Sequence, residues 1–391
     1  VRILGASLMM IGAWLAPVSA VTDDPPRIEA LSFAAMPGFA EDDHLAAFAT
    51  FATSCAALLA DRPALRTARP PLPSLKTVCA RALSRPPTTR AEARDFFERY
   101  FTPYRIATNE GGFFTGYYEP EVEGSLRPTA EFAAPILARP DDLVSAAPGQ
   151  TLAGLESGLS AGRARADGTF APYPERAAIE AGAIAGHTKP LVWLRDKVEV
   201  FLIQVQGSAR VRLADGRVIR LVYAGRNGQP YSSIGRILVA EGHVPPEGIG
   251  MERLKSWIRT QGQGEQEPGG RLMARNKSYV FFAIDQSLPA EAGPIGGAGL
   301  ALTPLRSLVI DRALWPYGLP VWIDADMPWQ GAASTPMRRL MVAQDTGSAI
   351  LGPSRADIFF GSGDAAGLKA GEIRHKGAFI VFWPRDEGNE R

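Results

Sequence analysis

A mainly β fold preceded by helices is what the amino-acid sequence predicts, on three observations. Gly (40) and Pro (32) are abundant among 391 residues, and that much turn chemistry suits many short strands better than a helical bundle. Amphipathic helical spacing marks the segment before Gly111. Beyond it, short β-branched and aromatic runs alternate with turn residues, and the last of these are short and apolar enough for a compact closed barrel.

In chain order, Arg2, the apolar stretch Ile3–Leu15 and the small residues Pro17-Val18-Ser19-Ala20 come first. The apolar stretch is too short to span a bilayer, and the pattern reads as a signal peptide, residues 1–20, cut after Ala20, with an N-terminal anchor that is never cut as the alternative. No cysteine stands near the cut and no later run is apolar enough to span a membrane. The expectation is therefore a soluble periplasmic protein without a membrane anchor. In an exported chain the only cysteines, Cys55 and Cys79, are expected to pair rather than remain buried thiols. The bridge would close a loop of roughly 25 residues and stabilise the fold by about 3 kcal/mol.

Glu41–Phe51 begins the first helix, with acidic residues in its first turn and Leu45, Phe48 and Phe51 near helical spacing. Ser74–Ala82 forms a second. Thr89 and Glu92 cap a third, with Ala93, Phe96, Phe97 and Tyr100 on its apolar face. Phe113–Pro120 is rich in strand formers and ends at proline. Val198–Ser208 reads as a strand that places Gln204 and Gln206 on one face. Ala209–Leu213 and Arg217–Tyr223 flank Ala214-Asp215-Gly216, a hairpin signal. Ser232–Glu241 and Met251–Arg259 read as helical, and Gly262–Gly270 as a polar loop. Strands resume at Lys277–Phe282 and, after the glycine-rich 293–299, at Ser307–Ile310, Pro320–Asp324, Arg339–Ala343, Ile358–Phe360 and Ala378–Trp383.

Several function classes drop out. The net charge is +1 with no basic run, so no nucleic-acid partner is expected. His44, His187, His243 and His375 are scattered without ligand spacing, so a zinc site is not expected; no other metal and no cofactor is expected either. Residues 293–299 lack the Gly-Lys-Ser/Thr ending of a phosphate loop.

The chemistry-bearing residues are three aspartates. Asp345 and Asp357 stand twelve residues apart and bracket a glycine-containing turn between strands; Asp311 opens a similar turn upstream. Asp345-Thr346-Gly347-Ser348 spells the aspartic-protease tetrapeptide, but that chemistry needs a second copy, and none is present. Taken alone, Asp345 and Asp311 read first as turn aspartates satisfying backbone N–H groups. Asp357 abuts Ile358-Phe359-Phe360, where desolvation would lift its pKa above about 3.9, the state a general acid needs. A structural ion pair there is an equal alternative. Tyr117, Tyr118, Tyr223, Tyr231, Trp322 and Trp383 stand at strand ends and loops, where rings either stack on sugars or pack the core. Gln204, Gln206 and Ser208 suit hydrogen bonds to hydroxyl and acetamide groups, or a solvated sheet face.

Gly116-Tyr117-Tyr118-Glu119-Pro120, Phe201–Ser208, Tyr223–Tyr231, Asn276–Phe282 and Asp345–Gly361 resemble, in order, the membrane-bound lytic murein transglycosylase A family. The final hundred residues resemble its three-aspartate domain, with Asp311, Asp345 and Asp357 as the three. The resemblance covers about Gly111 to Trp383. It implies a double-psi β-barrel with a smaller inserted β domain and a glycan-binding groove between them. The implied division is 1–20 signal peptide, 21–122 N-terminal helical segment and first barrel strands, 123–285 inserted domain, and 286–391 the C-terminal part of the barrel. It implies peptidoglycan as substrate, Asp357 as catalytic residue with Asp345 in support, and Asp311 as structural. Tyr117, Gln204, Gln206, Ser208, Tyr231 and Gly361 are then expected to bind substrate. The protein is expected to be monomeric and to meet cell-wall synthesis or division proteins. A non-catalytic glycan-binding barrel is the rival reading. Two departures from the family pattern are the absent lipid-accepting cysteine and Gly347-Ser348 where the family carries two glycines.

Overall fold

The structure is a computed structural model. It describes residues 25–147, 150–245, 250–289 and 291–386, so the signal-peptide expectation for residues 1–20 lies outside the described residues.

The first part runs β1 (Arg27–Ala30), α1 (His44–Leu59), α2 (Pro73–Ser84), α3 (Arg90–Tyr100), β2 (Phe101–Ala107) and β3 (Gly112–Glu119). Local chemistry fixes the helix starts. Asp43 accepts from the Ala46 N–H, and Thr89 with Glu92 completes a reciprocal capping box. Phe48, Phe51 and Phe97 form one cluster with Trp322, Leu340, Val342, Ile380 and Phe382, so the helices cover an outer face of the sheet that follows. Cys55 and Cys79 are joined in a disulfide between α1 and α2. Reducing it is expected to lower stability by about 3 kcal/mol, in keeping with a loop of this length; urea unfolding with and without reductant measures the difference.

After β3 the chain leaves the sheet for an insert: β4 (Glu121–Glu123), β5 (Ala134–Leu137), β6 (Leu143–Ser145), β7 (Ala161–Ala164), β8 (Phe170–Pro172), α4 (Arg176–Glu180), β9 (Pro190–Leu194), α5 (Lys197–Gln206), β10 (Ser208–Arg212), β11 (Val218–Arg226), α6 (Ile234–Ala240), α7 (Met251–Thr260), α8 (Pro268–Ala274) and β12 (Val280–Asp285). The β10–β11 hairpin extends through β12 on one side and β4 on the other into a four-stranded sheet. The insert is thus mixed rather than a β domain, and α8 begins inside the stretch read as a polar loop.

The strand expected over Val198–Ser208 is helical as far as Gln206. Its β-branched and aromatic composition favours a strand, but both ends carry helix signals. Asp196 caps the start by accepting from Glu199 N, and Gly207 ends it at φ +84°, a left-handed conformation natural to glycine. The helix is apolar on two faces because it lies between two cores: Val200 and Ile203 enter one, Val198, Phe201 and Leu202 the other. Gln204 and Gln206, two residues apart on a helix, therefore do not share a face.

The last part supplies β13 (Ser307–Val309), β14 (Pro320–Met327), β15 (Thr335–Asp345), β16 (Arg355–Ser362), α9 (Asp364–Gly371) and β17 (Arg374–Pro384). The strands run β17-β14-β15-β13-β16-β3, and a β3–β17 pairing closes them into a six-stranded ring. β17 also holds β2, to which β1 is added. Two pairs in the ring are parallel, β13–β15 and β16–β3. Alternation along β14 sorts its side chains: Val321, Ile323 and Ala325 fill the ring, while Trp322 points to the helices. Trp322 is fully buried there, so it packs core and offers no platform to a sugar. Where ring and insert meet, the fully buried Glu119 accepts from Arg210 Nε (2.7 Å) of β10 and from Ser362 Oγ (2.6 Å) of β16.

Candidate active site

Strand register brings the two aspartates together. Val309 of β13 pairs with Asp357 on one side and Asp345 on the other. The two backbones are therefore two strand spacings apart, about 10 Å. Next to Asp357, β3 contributes Thr115 in direct register, and Tyr117 lies opposite Phe359. Tyr117, Leu302, Val309, Ile350 and Phe359 form a small apolar cluster, with the Tyr117 and Phe359 rings 5.3 Å apart. Two carboxylates thus stand on a floor that excludes water.

Their environments differ. Burial pushes Asp357 up to about 6, against the opposing pull of the nearby Arg355 charge and of the Thr115 hydroxyl, which donates to Oδ1 at 2.6 Å. Arg355 does not pair with Asp357; its Nη2 donates to Thr115 Oγ1 (2.8 Å) and its guanidinium covers the Phe113 ring. Asp345 is also raised by burial, countered by the Arg66 charge and by three donors: Gly297 N and Thr346 N, each 2.7 Å from Oδ1, and Tyr117 OH, 3.0 Å from Oδ2. A carboxylate so supplied is equipped to carry negative charge, while Asp357 is equipped to hold a proton.

The other site residues fall into groups. Asp311 accepts from Ala313 N (3.0 Å) and Gly352 N (2.8 Å), tying the segment after β13 to the turn before β16. Tyr231, from the insert, lies near enough to Asp357 for that charge to raise its pKa, although burial is the larger cause. Gly361 has φ +115° where the β16–β3 register shifts, so its contribution is to the backbone. Gln206 Oε1 accepts from Tyr118 N at 3.1 Å, Gln204 is buried and acts on Tyr279, and Ser208 is buried at the start of β10. The two glutamines thus hydrogen-bond within the insert and at its junction with β3, where Gln206 holds the residue next to Tyr117. Trp383 is exposed on β17, which pairs it with Thr102 of β2.

Sequence reasoning missed Thr115, Arg355, Arg66 and the Gly297 N–H. Parallel pairing to β3 supplies Thr115, and no spacing rule reveals it. Arg66 arrives from the α1–α2 connection, where Arg66 N donates to Gly297 O (3.0 Å) and its Nη1 to Thr346 O (2.7 Å). Its guanidinium lies 3.7 Å over the Tyr223 ring of the insert. The glycine-rich 293–299, dismissed as a phosphate loop, instead aims an N–H at Asp345. Away from this site, Asp141, Asp142 and His187 gather within 4.8 Å. That group is satisfied internally: Asp142 accepts from Tyr173 OH (2.6 Å) and pairs with Arg163, and His187 Nδ1 lies 3.0 Å from Asp141. An open pocket of about 630 Å³, lined in part by Glu41, Arg90, Trp329 and Arg338, includes none of the site residues expected from the sequence.

A closed ring carrying paired aspartates, interrupted by a large insert, defines a three-aspartate-domain protein with an inserted module. Family models agree: residues 113–283 match the MltA specific insert domain and residues 306–383 the 3D domain. A membrane-bound lytic murein transglycosylase from Agrobacterium tumefaciens is 34% identical with TM-score 0.81, covering 92% of this chain and 98% of that one. MltA from Neisseria gonorrhoeae is 31% identical with TM-score 0.72, over 93% and 96%. Escherichia coli MltA with bound chitohexaose, 22% identical with TM-score 0.65 over 93% and 96%, shares the fold. The chain belongs to the membrane-bound lytic murein transglycosylase A family. Among relatives compared by sequence, membrane-bound lytic murein transglycosylase A of Vibrio cholerae is 30% identical over 271 residues, 68% of this chain and 63% of that protein. The aligned stretch is thus less than two thirds of the relative's length.

One expectation is overturned. The relatives are named membrane-bound, which conflicts with a protein lacking membrane anchoring. The lack of a cysteine near Ala20 bears on lipid attachment at that point alone, and a chain can be held at a membrane by an apolar or basic segment without one. Among the described residues no helix is long and apolar enough to cross a membrane.

Proposed function

We propose that this protein is a peptidoglycan lytic transglycosylase acting on the β-1,4 bond between N-acetylmuramic acid and N-acetylglucosamine. The observation that carries the reading is Asp357: a carboxyl raised to about 6, held by Thr115 through one oxygen on an apolar floor. Its proton goes to the glycosidic oxygen as the C1–O bond breaks. The resulting carboxylate takes the proton of the muramic C6 hydroxyl, whose oxygen bonds to C1 of the same ring. The product is a 1,6-anhydromuramic end. One carboxyl serves as acid and then base, and the intramolecular nucleophile avoids much of the entropic penalty of recruiting a second molecule. Asp345, with its three donors, stabilises positive charge developing on the ring.

The two parallel pairs in the ring support its reading as a double-psi barrel. Tyr231 and Tyr223 of the insert, standing near Asp357 and against Arg66, support a glycan groove between ring and insert. The change of sheet between β3 and β4 supports a domain division near residue 122.

Digestion of murein sacculi tests the function. Anhydro-muropeptides by mass spectrometry are expected; reducing ends would indicate hydrolysis, and intact sacculi with bound protein a binding module. Thr115→Val gives a finer test. Removing the donor withdraws support from the ionised carboxylate, so the Asp357 pKa is expected to rise further and the alkaline limb of kcat/KM to move to higher pH. An unmoved limb would separate Asp357 from that limb.

A further inference from the structure

Three arginines converge beside the carboxylates from three separate parts of the chain. Arg66 comes from the α1–α2 connection, Arg226 from the end of β11 in the insert, and Arg312 from the turn after β13 in the ring. Each is anchored by hydrogen bonds to neutral oxygens only: Arg66 Nη1 to Thr346 O (2.7 Å), Arg226 Nη2 to Ser160 Oγ (3.0 Å) and Arg312 Nη1 to Thr67 O (3.2 Å). Among the described residues none of the three forms an ion pair with a carboxylate. The Arg66 plane is set on the Tyr223 ring at 3.7 Å, and Tyr223 is three residues from Arg226 on β11. The group is close enough that Arg66 and Arg312 reinforce the effect of burial in lowering the Arg226 pKa. The nearest acidic site residue, Asp345, already accepts from Gly297, Thr346 and Tyr117.

Three guanidiniums near one supporting carboxylate, Asp345, leave an excess of positive charge in a partly desolvated site, which an anion would complete. Guanidiniums, with planar forks of donors, suit a carboxylate. We propose that Arg66, Arg226 and Arg312 form a carboxylate-recognition patch that makes the site prefer glycan strands bearing an acidic substituent over neutral strands. This rests on the reading of the site as one for glycan strands. In peptidoglycan a carboxylate of this kind has two sources, the lactyl group of a stem-free muramic residue or the peptide stem.

The test uses the chain carrying Asp357→Asn, to prevent turnover, and measures binding by calorimetry to three probes. These are neutral chitohexaose, glycan strands stripped of peptides so that lactyl carboxylates are free, and strands with their stems intact. At least one charged probe is expected to bind about tenfold more tightly than chitohexaose, the equivalent of one charge-assisted contact, and added salt is expected to erode that preference. Adding Arg226→Gln or Arg312→Gln is expected to reduce the preference several-fold while chitohexaose affinity changes less than twofold, which also reports that the variant is folded; Arg66→Gln, beside Asp345 and on the Tyr223 ring, is expected to weaken the charged probes more than chitohexaose. Arg66→Lys should recover part of the preference. Preference for stripped strands identifies the lactyl group; preference only for intact strands identifies the stem. Equal, salt-independent affinity for all three probes overturns the proposal, as do Gln variants that weaken neutral and charged probes alike. A sacculus digest run in parallel keeps the two readings apart. Cleavage to anhydro ends without charge preference defeats the patch alone, and charge preference without anhydro ends defeats the lyase reading alone.

Discussion

Replacing Asp357 with asparagine is expected to reduce anhydro-muropeptide formation by about 10²–10⁴-fold, the range for loss of a positioned general acid. Asparagine keeps the shape and can still accept from Thr115, but it neither gives up a proton nor takes one back. Quantitative mass spectrometry of sacculus digests reads the effect, and full activity would remove Asp357 from the mechanism. The same carboxyl sets a pH dependence. In the proposed mechanism its protonated form starts the reaction, so kcat/KM should fall as pH rises through about 6, where the carboxyl ionises. Stability follows in a definite direction. The unfolded chain ionises this aspartate near 3.9, whereas the folded chain holds the proton to about 6. The folded state therefore binds the proton more tightly, and the associated stability is lost as pH rises through about 6. The asparagine variant carries no buried charge at pH 8 and should melt no lower than the parent there. Lost activity with undiminished melting temperature marks a chemical rather than a structural role.

The readable part of the chain and the unreadable part divide along physical lines. Capped helices announce themselves, because Asp43 and Thr89 act on amides three residues away. Barrel strands announce themselves through apolar runs separated by turns, and the β10–β11 hairpin through Asp215-Gly216. The carboxylates at the ends of β15 and in β16 were visible because each stands beside a turn. What distant pairing decides was not visible. Val198–Gln206 has strand composition, yet a helix packed between two cores needs little polar face, and only its caps, Asp196 and Gly207, argued for the outcome. The shared face expected for Gln204 and Gln206 rested on that strand and is lost with it. Trp322 alternates outward from the ring into the helical layer, an orientation that depends on which side the helices cover. Arg66 and Thr115 reach the carboxylates across hundreds of residues. That such contacts come from the α1–α2 connection also gives the N-terminal helices a part beyond support, since they hold a cation against the turn that carries Asp345.

Asp42→Ala is expected to destabilise the protein by about 3–5 kcal/mol, the effect of breaking a buried ion pair from one side. Asp42, just ahead of α1, meets Arg306 through two bonds, Nη1 to Oδ2 at 2.8 Å and Nη2 to Oδ1 at 2.9 Å. Its Oδ2 also accepts from Leu340 N of β15 at 2.9 Å. Both side chains are only 3% exposed. Alanine leaves a guanidinium buried without its counter-charge, and a strand N–H without that acceptor, so the loss exceeds that of a surface pair, where water would take over. Replacing both partners together, Asp42→Leu with Arg306→Met, should cost far less than the single change, because the stranded charge is gone. Urea unfolding of the single and double variants makes that comparison, and equal losses in the two would mean that packing, not the ion pair, sets the stability of this junction. The helical layer and the ring share one apolar cluster through Trp322, Leu340 and Phe382, so they should unfold together. Activity and tryptophan fluorescence should then share a urea midpoint in the parent and in Asp42→Ala. Activity lost at lower urea would show the layer detaching first, taking Arg66 away from Thr346 while the ring still stands.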